Sequence, residues 1–375
     1  MFNIHDKDRD QMVLTGRFAR KGYDWWWHSF TARNKKTGEE APFFIEFFLI
    51  NPKKAKENPT LGQDPEHETP SYLMVKCGKW GEDKKQLHRF YSWKEIKVHH
   101  KAPYSVNAQE CFASETSLHG HVKVTPEDLA AHPGMMSDVG EMSFDLKVEK
   151  KIAFNVGYGA GPLFRALKAF QMYWHAEGMK TLYEGKITFD GEEYVVSKDS
   201  CYGYADKNWG NGFTTPWVWL ASSNLYSKKL NKKLENSAFD IGGGKPKAFG
   251  ISLPRKLLGV FYYEGDESYE FNFAKFWMGI KTKFSGKLEG EEFVWHVKQE
   301  NHKRAMETEI RCKVKDMLFV NYEDPEGVKR FHHLYNGGNG YGTVKLYKKE
   351  KGKWALVDEI EAKNVGCEYG EFDAE

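Results

Sequence analysis

Residues 202–227 read Tyr-Gly-Tyr-Ala-Asp-Lys-Asn-Trp-Gly-Asn-Gly-Phe-Thr-Thr-Pro-Trp-Val-Trp-Leu-Ala-Ser-Ser-Asn-Leu-Tyr-Ser. Six positions hold Tyr204, Asp206, Lys207, Asn208 and Trp209, and Trp217 and Trp219 follow. Strand alternation puts Tyr204 and Asp206 on one face, and Trp217 and Trp219 on one face. A carboxyl among indoles and phenols sits where water is scarce. That raises its pKa and makes it a proton donor near neutral pH. The stretch predicts β structure carrying acid chemistry directed at an apolar, electron-rich compound.

The rhythm on either side is also β. Tyr23–Arg33 and Ala41–Asn51 read as a hairpin turned at Gly38, and the second strand is apolar on both faces apart from Glu46. Asp190-Gly191 is a second hairpin signal, and Pro126–His132 suits one helical turn. Only Leu163, Ala166, Leu167 and Phe170 recur with helical spacing. Later strands at roughly ten-residue intervals are punctuated by Gly242-Gly243-Gly244 and other glycine turns, and Gly337–Gly342 reads as a flexible barrel turn. So many strands exceed one barrel of about eight. The expected fold is all-β: two lipocalin-like antiparallel β-barrels or sandwiches packed together, with a ligand pocket near their junction. Residues 1–190 would form one domain and 191–375 the other.

Composition narrows the function. Lys plus Arg number 55 against 53 Asp plus Glu, so charge supplies no drive toward nucleic acid. The five cysteines form no Cys-x-x-Cys pair, which fits a reducing compartment. The N-terminus is charged and lacks the apolar core of a signal peptide, and no apolar run approaches the roughly 18 residues of a membrane span. A cytoplasmic protein is expected. His119-x-His121, His99-His100 and His332-His333 lack a partner Glu or Cys at ligand spacing, so no metal is expected. Gly337–Gly342 lacks Gly-Lys-Ser/Thr and is no phosphate loop.

The block Met172-Tyr173-Trp174-His175, the Asp190-Gly191 hairpin and residues 202–227 together resemble the tocopherol cyclase family. The matching positions are Gly203, Tyr204, Asp206, Lys207, Asn208, Trp209, Gly210, Phe213, Trp217, Trp219 and Asn224. Trp25-Trp26-Trp27 with Phe43–Leu49 is similar to the family's first hairpin. The chain departs from the family pattern with Asp206 in place of Glu, Thr214 in place of Pro, and Leu220 or Ala221 in place of Gln. The resemblance implies paired lipocalin-like barrels and a pocket for hydrophobic isoprenoids. It also implies acid-assisted chemistry without a metal or redox cofactor.

On this reading Asp206 is the general acid. Tyr204 donates to the substrate or orients the carboxyl, and His175 relays a proton to Asp206 or holds it. Trp25, Trp27, Tyr173, Trp209, Trp217, Trp219 and Asn224 would bind the substrate, the indole faces favouring cationic character. Lys207 and Asn208 suit a structural role. Each assignment has a plainer alternative: a structural ion pair for Asp206, a half-buried sheet residue for Tyr204, a core histidine, barrel-core tryptophans. Two functions follow. One is a cofactor-independent cyclase, isomerase or hydratase acting on an isoprenoid or prenylated phenol. The other is a non-catalytic carrier of such a compound.

Overall fold

The computed structural model describes residues 10–62, 68–99, 101, 103–154, 167–264, 267–320, 322–327 and 331–372. Half of the expected helical stripe, Leu163 and Ala166, lies outside that set, as does His100. Strands make up 63% of the described residues and helix 5%, so the fold is all-β as expected.

Twelve strands form the first sheet, in the order Lys85–Tyr91, Tyr72–Lys79, Glu40–Ile50, Tyr23–Asn34, Glu192–Val196, Met172–Phe189, Gly140–Phe154, Ser117–Val124, Cys111–Ser114, Ser105–Ala108 and Ile96–His99. The twelfth, Gly203–Gly210, pairs antiparallel with both Tyr23–Asn34 and Met172–Phe189. The sheet rolls until its Lys85–Tyr91 edge meets Ser117–Val124. Gln86 N donates to Asp138 Oδ2 at 2.8 Å, and His88 N donates to Ser137 Oγ at 3.0 Å, occupying donors of that edge.

A second sheet runs Glu267–Phe271, Lys256–Tyr263, Ala238–Gly244, Trp217–Ser222, Lys353–Phe372, Phe331–Glu350, Arg304–Lys313, Glu292–Glu300 and Lys281–Glu289. It curls into a half-barrel, and Gln299 Nε2 from one side donates to Leu257 O on the other at 3.0 Å. Strands 192–196 and 203–210 hydrogen-bond within the first sheet. The first sheet thus takes strands from both sides of residue 190.

Local signals explain much of this. Asp190 and Gly191 have φ of 46° and 82°, the left-handed pair a two-residue hairpin requires. The helix Pro126–Ala131 starts with a capping box between Thr125 and Asp128. Phe43–Ile50 are fully buried, Glu46 included, because one face lines the first barrel and the other meets the second sheet. Two glycine runs read as turns are strand instead: Gly242–Gly244 end Ala238–Gly244, and Gly337–Gly342 lie inside the bulged strand Phe331–Glu350. They accommodate rings. A Cβ on Gly242 would sit 2.7 Å from the Trp174 ring, and one on Gly338 would sit 2.3 Å from Trp80.

The halves share one aromatic core, in which Trp25 and Trp27 of the first sheet cluster with Trp217 and Trp219 of the second. Residues 322–325 fasten the halves together. Tyr72 OH donates to Glu323 Oε2 at 2.9 Å, and Asn51 Nδ2 donates to Pro325 O at 2.8 Å. All five cysteines are buried and free.

Candidate active site

Alternation along Tyr23–Asn34 sorts its tryptophans. Trp26 turns into the first barrel, where Nε1 donates to Asp10 O at 2.7 Å and the ring stacks on Tyr104 at 5.0 Å. Trp25 and Trp27 face the second sheet. There they line a pocket with Met172, Trp174, Asp206 and Asn208 from the first half, and Trp217, Trp219, Gly242, Lys256, Tyr322, Asn336 and Glu368 from the second. The cavity itself is about 100 Å³ and opens to solvent at its mouth. Tyr322 stacks on Trp25 at 5.2 Å and on Trp217 at 6.4 Å, so the rings form a continuous apolar wall.

Asp206 lies in this wall, 7% exposed. Trp174 Nε1 donates to Oδ2 at 2.8 Å, Tyr204 OH lies 3.1 Å from the same oxygen, and Trp25 Nε1 reaches Oδ1 at 3.4 Å. Burial lifts its pKa from 3.8 to about 7, and the Trp174, Tyr204 and Trp25 hydrogen bonds oppose that rise. Oδ2 holds the two shorter bonds, which leaves Oδ1 the less committed oxygen. The Tyr204 hydroxyl also lies 2.9 Å from Asp240 Oδ2. Burial, then repulsion from Asp206, pushes Asp240 well above the carboxylate range. A neutral Asp240 can donate to Tyr204 while Tyr204 donates to Asp206, so the three groups form a chain along which a proton can move.

A second carboxyl faces the pocket. Glu368 accepts from Asn336 Nδ2 at 3.1 Å, and Asn336 Oδ1 accepts from Trp80 Nε1 at 2.7 Å. Burial pushes Glu368 up to about 8. Behind Trp27 and Tyr322 the buried pair Lys76–Glu46 closes at 2.5 Å, with the ammonium 4.0 Å from the Tyr322 ring centroid. Trp27 Nε1 is buried without a hydrogen-bond partner among the described residues.

The expected site residues divide. Asp206, Trp25, Trp27, Tyr173, Trp217 and Trp219 line the pocket, and Tyr204 touches Asp206 from beneath. His175 does not reach Asp206. Its neighbour Trp174 does, and the His175 ring turns into the first barrel with Nε2 3.1 Å from Asp10 Oδ1. Trp209 shares that side, stacked on Tyr173 at 5.5 Å and 5.6 Å from Lys207 Nζ. Lys207 pairs with Asp24 rather than Asp206, its ammonium 4.1 Å from the Trp26 ring centroid. Asn224 is outside the pocket, and its Nδ2 bonds Asn364 Oδ1 at 2.5 Å. Sequence reasoning missed Trp174, Asp240, Tyr322, Asn336 and Glu368. Asp240 and Glu368 each stand as an acid inside a strand, Ala-Phe-Asp-Ile and Gly-Cys-Glu-Tyr, which was a readable signal.

Inside the first barrel, Asp10, Glu115 and Glu177 bring oxygens within 4.8 Å of one another. The Lys150 ammonium lies 3.1, 2.8 and 2.7 Å from the three, in the position a cation would take. Among the described residues, no helix is long and apolar enough to cross a membrane.

Two solved structures superpose over most of the chain. One is an AttH-like protein from Nitrosomonas europaea (TM-score 0.46, 9% identity, 93% of this chain and 91% of that one). The other is CghA with Sch210972 (TM-score 0.45, 10% identity, 95% and 90%). No curated protein matches. The family model described as tocopherol cyclase-like matches residues 83–371, a span that holds Tyr204, Asp206, Asp240 and Glu368. The chain belongs to the tocopherol cyclase-like family.

Proposed function

We propose that this chain is an acid catalyst that cyclises, isomerises or hydrates a hydrophobic small molecule seated between its two halves, with Asp206 as proton donor. One observation carries the reading: a buried carboxyl whose pKa burial raises to about 7 stands in an aromatic wall beside a pocket that opens to solvent. Family membership supports a cyclase-type function.

The chemistry balances without a redox partner. The O–H bond on Asp206 Oδ1 breaks as a C–H bond forms on an alkene carbon of the ligand. The resulting cation faces indole and phenol rings, which stabilise it. An internal hydroxyl, or water, closes the cation, and the proton it sheds returns to the carboxylate. Tyr204 holds Oδ2 and connects it to Asp240. The unpartnered Trp27 N–H suits a ligand oxygen, since leaving a buried donor unmet costs about 1–3 kcal/mol. An isoprenoid or prenylated phenol, apolar with one oxygen, meets those demands.

Prenylated hydroquinones and carotenoids incubated with the protein test this. Wild type should bind and convert one of them, while Asp206→Asn should bind it and return it unchanged. Full conversion by Asp206→Asn refutes the acid role. Tight binding with no conversion by wild type assigns the pocket to a carrier instead.

A further inference from the structure

Several strongly exposed apolar side chains stand near the pocket mouth, the two most exposed of the described large hydrophobics among them. The hairpin between pocket residues Pro246 and Lys256 presents Phe249, 60% exposed, and Ile251, 69% exposed. Beside pocket residue Ala274 stands Trp277, 67% exposed, and beside Phe170 stands Leu167, 53% exposed. The hairpin is docked on the rim: Phe249 N donates to Ala169 O at 2.7 Å, and Phe170 bridges to Ala248.

Two further observations say what covers this rim. Phe249 has φ of 50° and Gly250 φ of 81°. A bulky side chain in the left-handed region costs about 1 kcal/mol or more, and Asn or Gly is the ordinary choice at such a tip. An aromatic ring is thus held outward against local preference. Charge is the second. Residues 245–256 carry Lys245, Lys247, Arg255 and Lys256 and no acid, and Lys283 stands near them in sequence beyond Trp277, while Lys275 and Lys281 pair with Glu270 and Glu300. Across the whole chain the balance is only +2.

We propose that this rim docks on an anionic lipid surface, with Phe249, Ile251 and Trp277 inserted at headgroup level and the surrounding cations facing lipid phosphates and carboxylates. Aromatic and aliphatic side chains ringed by lysine and arginine suit that interface. An acidic protein surface would satisfy the cations but leave three large apolar groups at the tips of separate segments. The docked orientation turns the pocket mouth toward the bilayer, so an apolar ligand reaches the tryptophans without crossing water. The inference does not depend on proton transfer by Asp206, because vesicle binding is read without turnover.

The test is flotation of the full chain with vesicles of phosphatidylcholine alone and of phosphatidylcholine mixed with phosphatidylserine. Wild type should float with the mixed vesicles, and salt should weaken that binding. The triple variant Phe249→Asn, Ile251→Ser, Trp277→Ser should bind on the order of a thousandfold more weakly, because each large apolar side chain contributes roughly tenfold. Lys245→Glu with Lys247→Glu should lower binding to the mixed vesicles and leave any residual binding to phosphatidylcholine unchanged. All five positions are exposed, and an unshifted thermal midpoint confirms that the variants fold. Equal flotation of wild type and triple variant overturns the proposal. So does a wild-type dimer that ignores vesicles and falls to monomer in the triple variant, a result that assigns the rim to a second copy of the chain.

Discussion

Replacing Asp206 by Asn removes a titrating group from the pocket while keeping its shape. In the folded protein the carboxyl titrates near pH 7, against 3.8 for the ordinary value. The sign follows from linkage. A carboxyl raised by folding contributes stability fully below its unfolded pKa, and that contribution disappears as pH climbs to the folded pKa. The whole span, three and a fraction pKa units, corresponds to about 4 kcal/mol. Part is already gone at pH 5, so about 3 kcal/mol remains to be lost between pH 5 and pH 9. Asn has nothing to ionise. The Asp206 charge helps raise Asp240 and Glu368, so Asp206→Asn lowers both, and the difference reports Asp206 together with its coupling to them. Urea unfolding of both proteins across that range should show Asp206→Asn gaining on wild type by about 3 kcal/mol, mostly below pH 7. A stability difference independent of pH would refute the reasoning, because Asp206 would then be ionised in the folded state at every pH used.

Other outcomes follow from the same geometry. Gly242→Ala places a methyl 2.7 Å from the Trp174 ring and should cost about 1–3 kcal/mol by overpacking. It should also weaken the Trp174–Asp206 bond that holds the acid's pKa down, so the alkaline fall in turnover should move to higher pH. Glu368→Gln should erase an ionisation near pH 8 from the pH profile of ligand binding, read by titration calorimetry, and leave the one near pH 7 in place. His175→Gln should lower stability by about 1–3 kcal/mol through its lost contact with Asp10, yet leave the pH dependence of turnover unchanged. A shifted profile would return His175 to the proton path.

Much of the site was readable because strand alternation is a rigid rule. Tyr204 with Asp206, Trp25 with Trp27 and Trp217 with Trp219 share faces as the two-residue period demands. The same rule exposes why His175 failed: it is next to Trp174, and neighbours in a strand point opposite ways. The resemblance marked the block, and the register selected the other residue. Asp240 and Glu368 were visible as acids inside strands, but their place beside Asp206 was not: Asp240 pairs locally with Ala221 and Val260, whereas Glu368 comes beside Trp219 across 149 residues of chain and carries Asn336 with it. Tyr322 comes from a connecting segment with no periodicity at all. The glycine runs misled because glycine signals a turn when φ must be positive but also marks a strand crossed by a ring, and only the partner ring distinguishes the cases.

Infrared difference spectra collected during a pH titration test the protonated acid most directly. Wild type should show a protonated-carboxyl C=O band that disappears near pH 7 and is missing from Asp206→Asn. A wild-type spectrum in which every carboxyl band distinguishing it from Asp206→Asn is gone by about pH 5 would contradict a neutral Asp206, and the proposed chemistry with it.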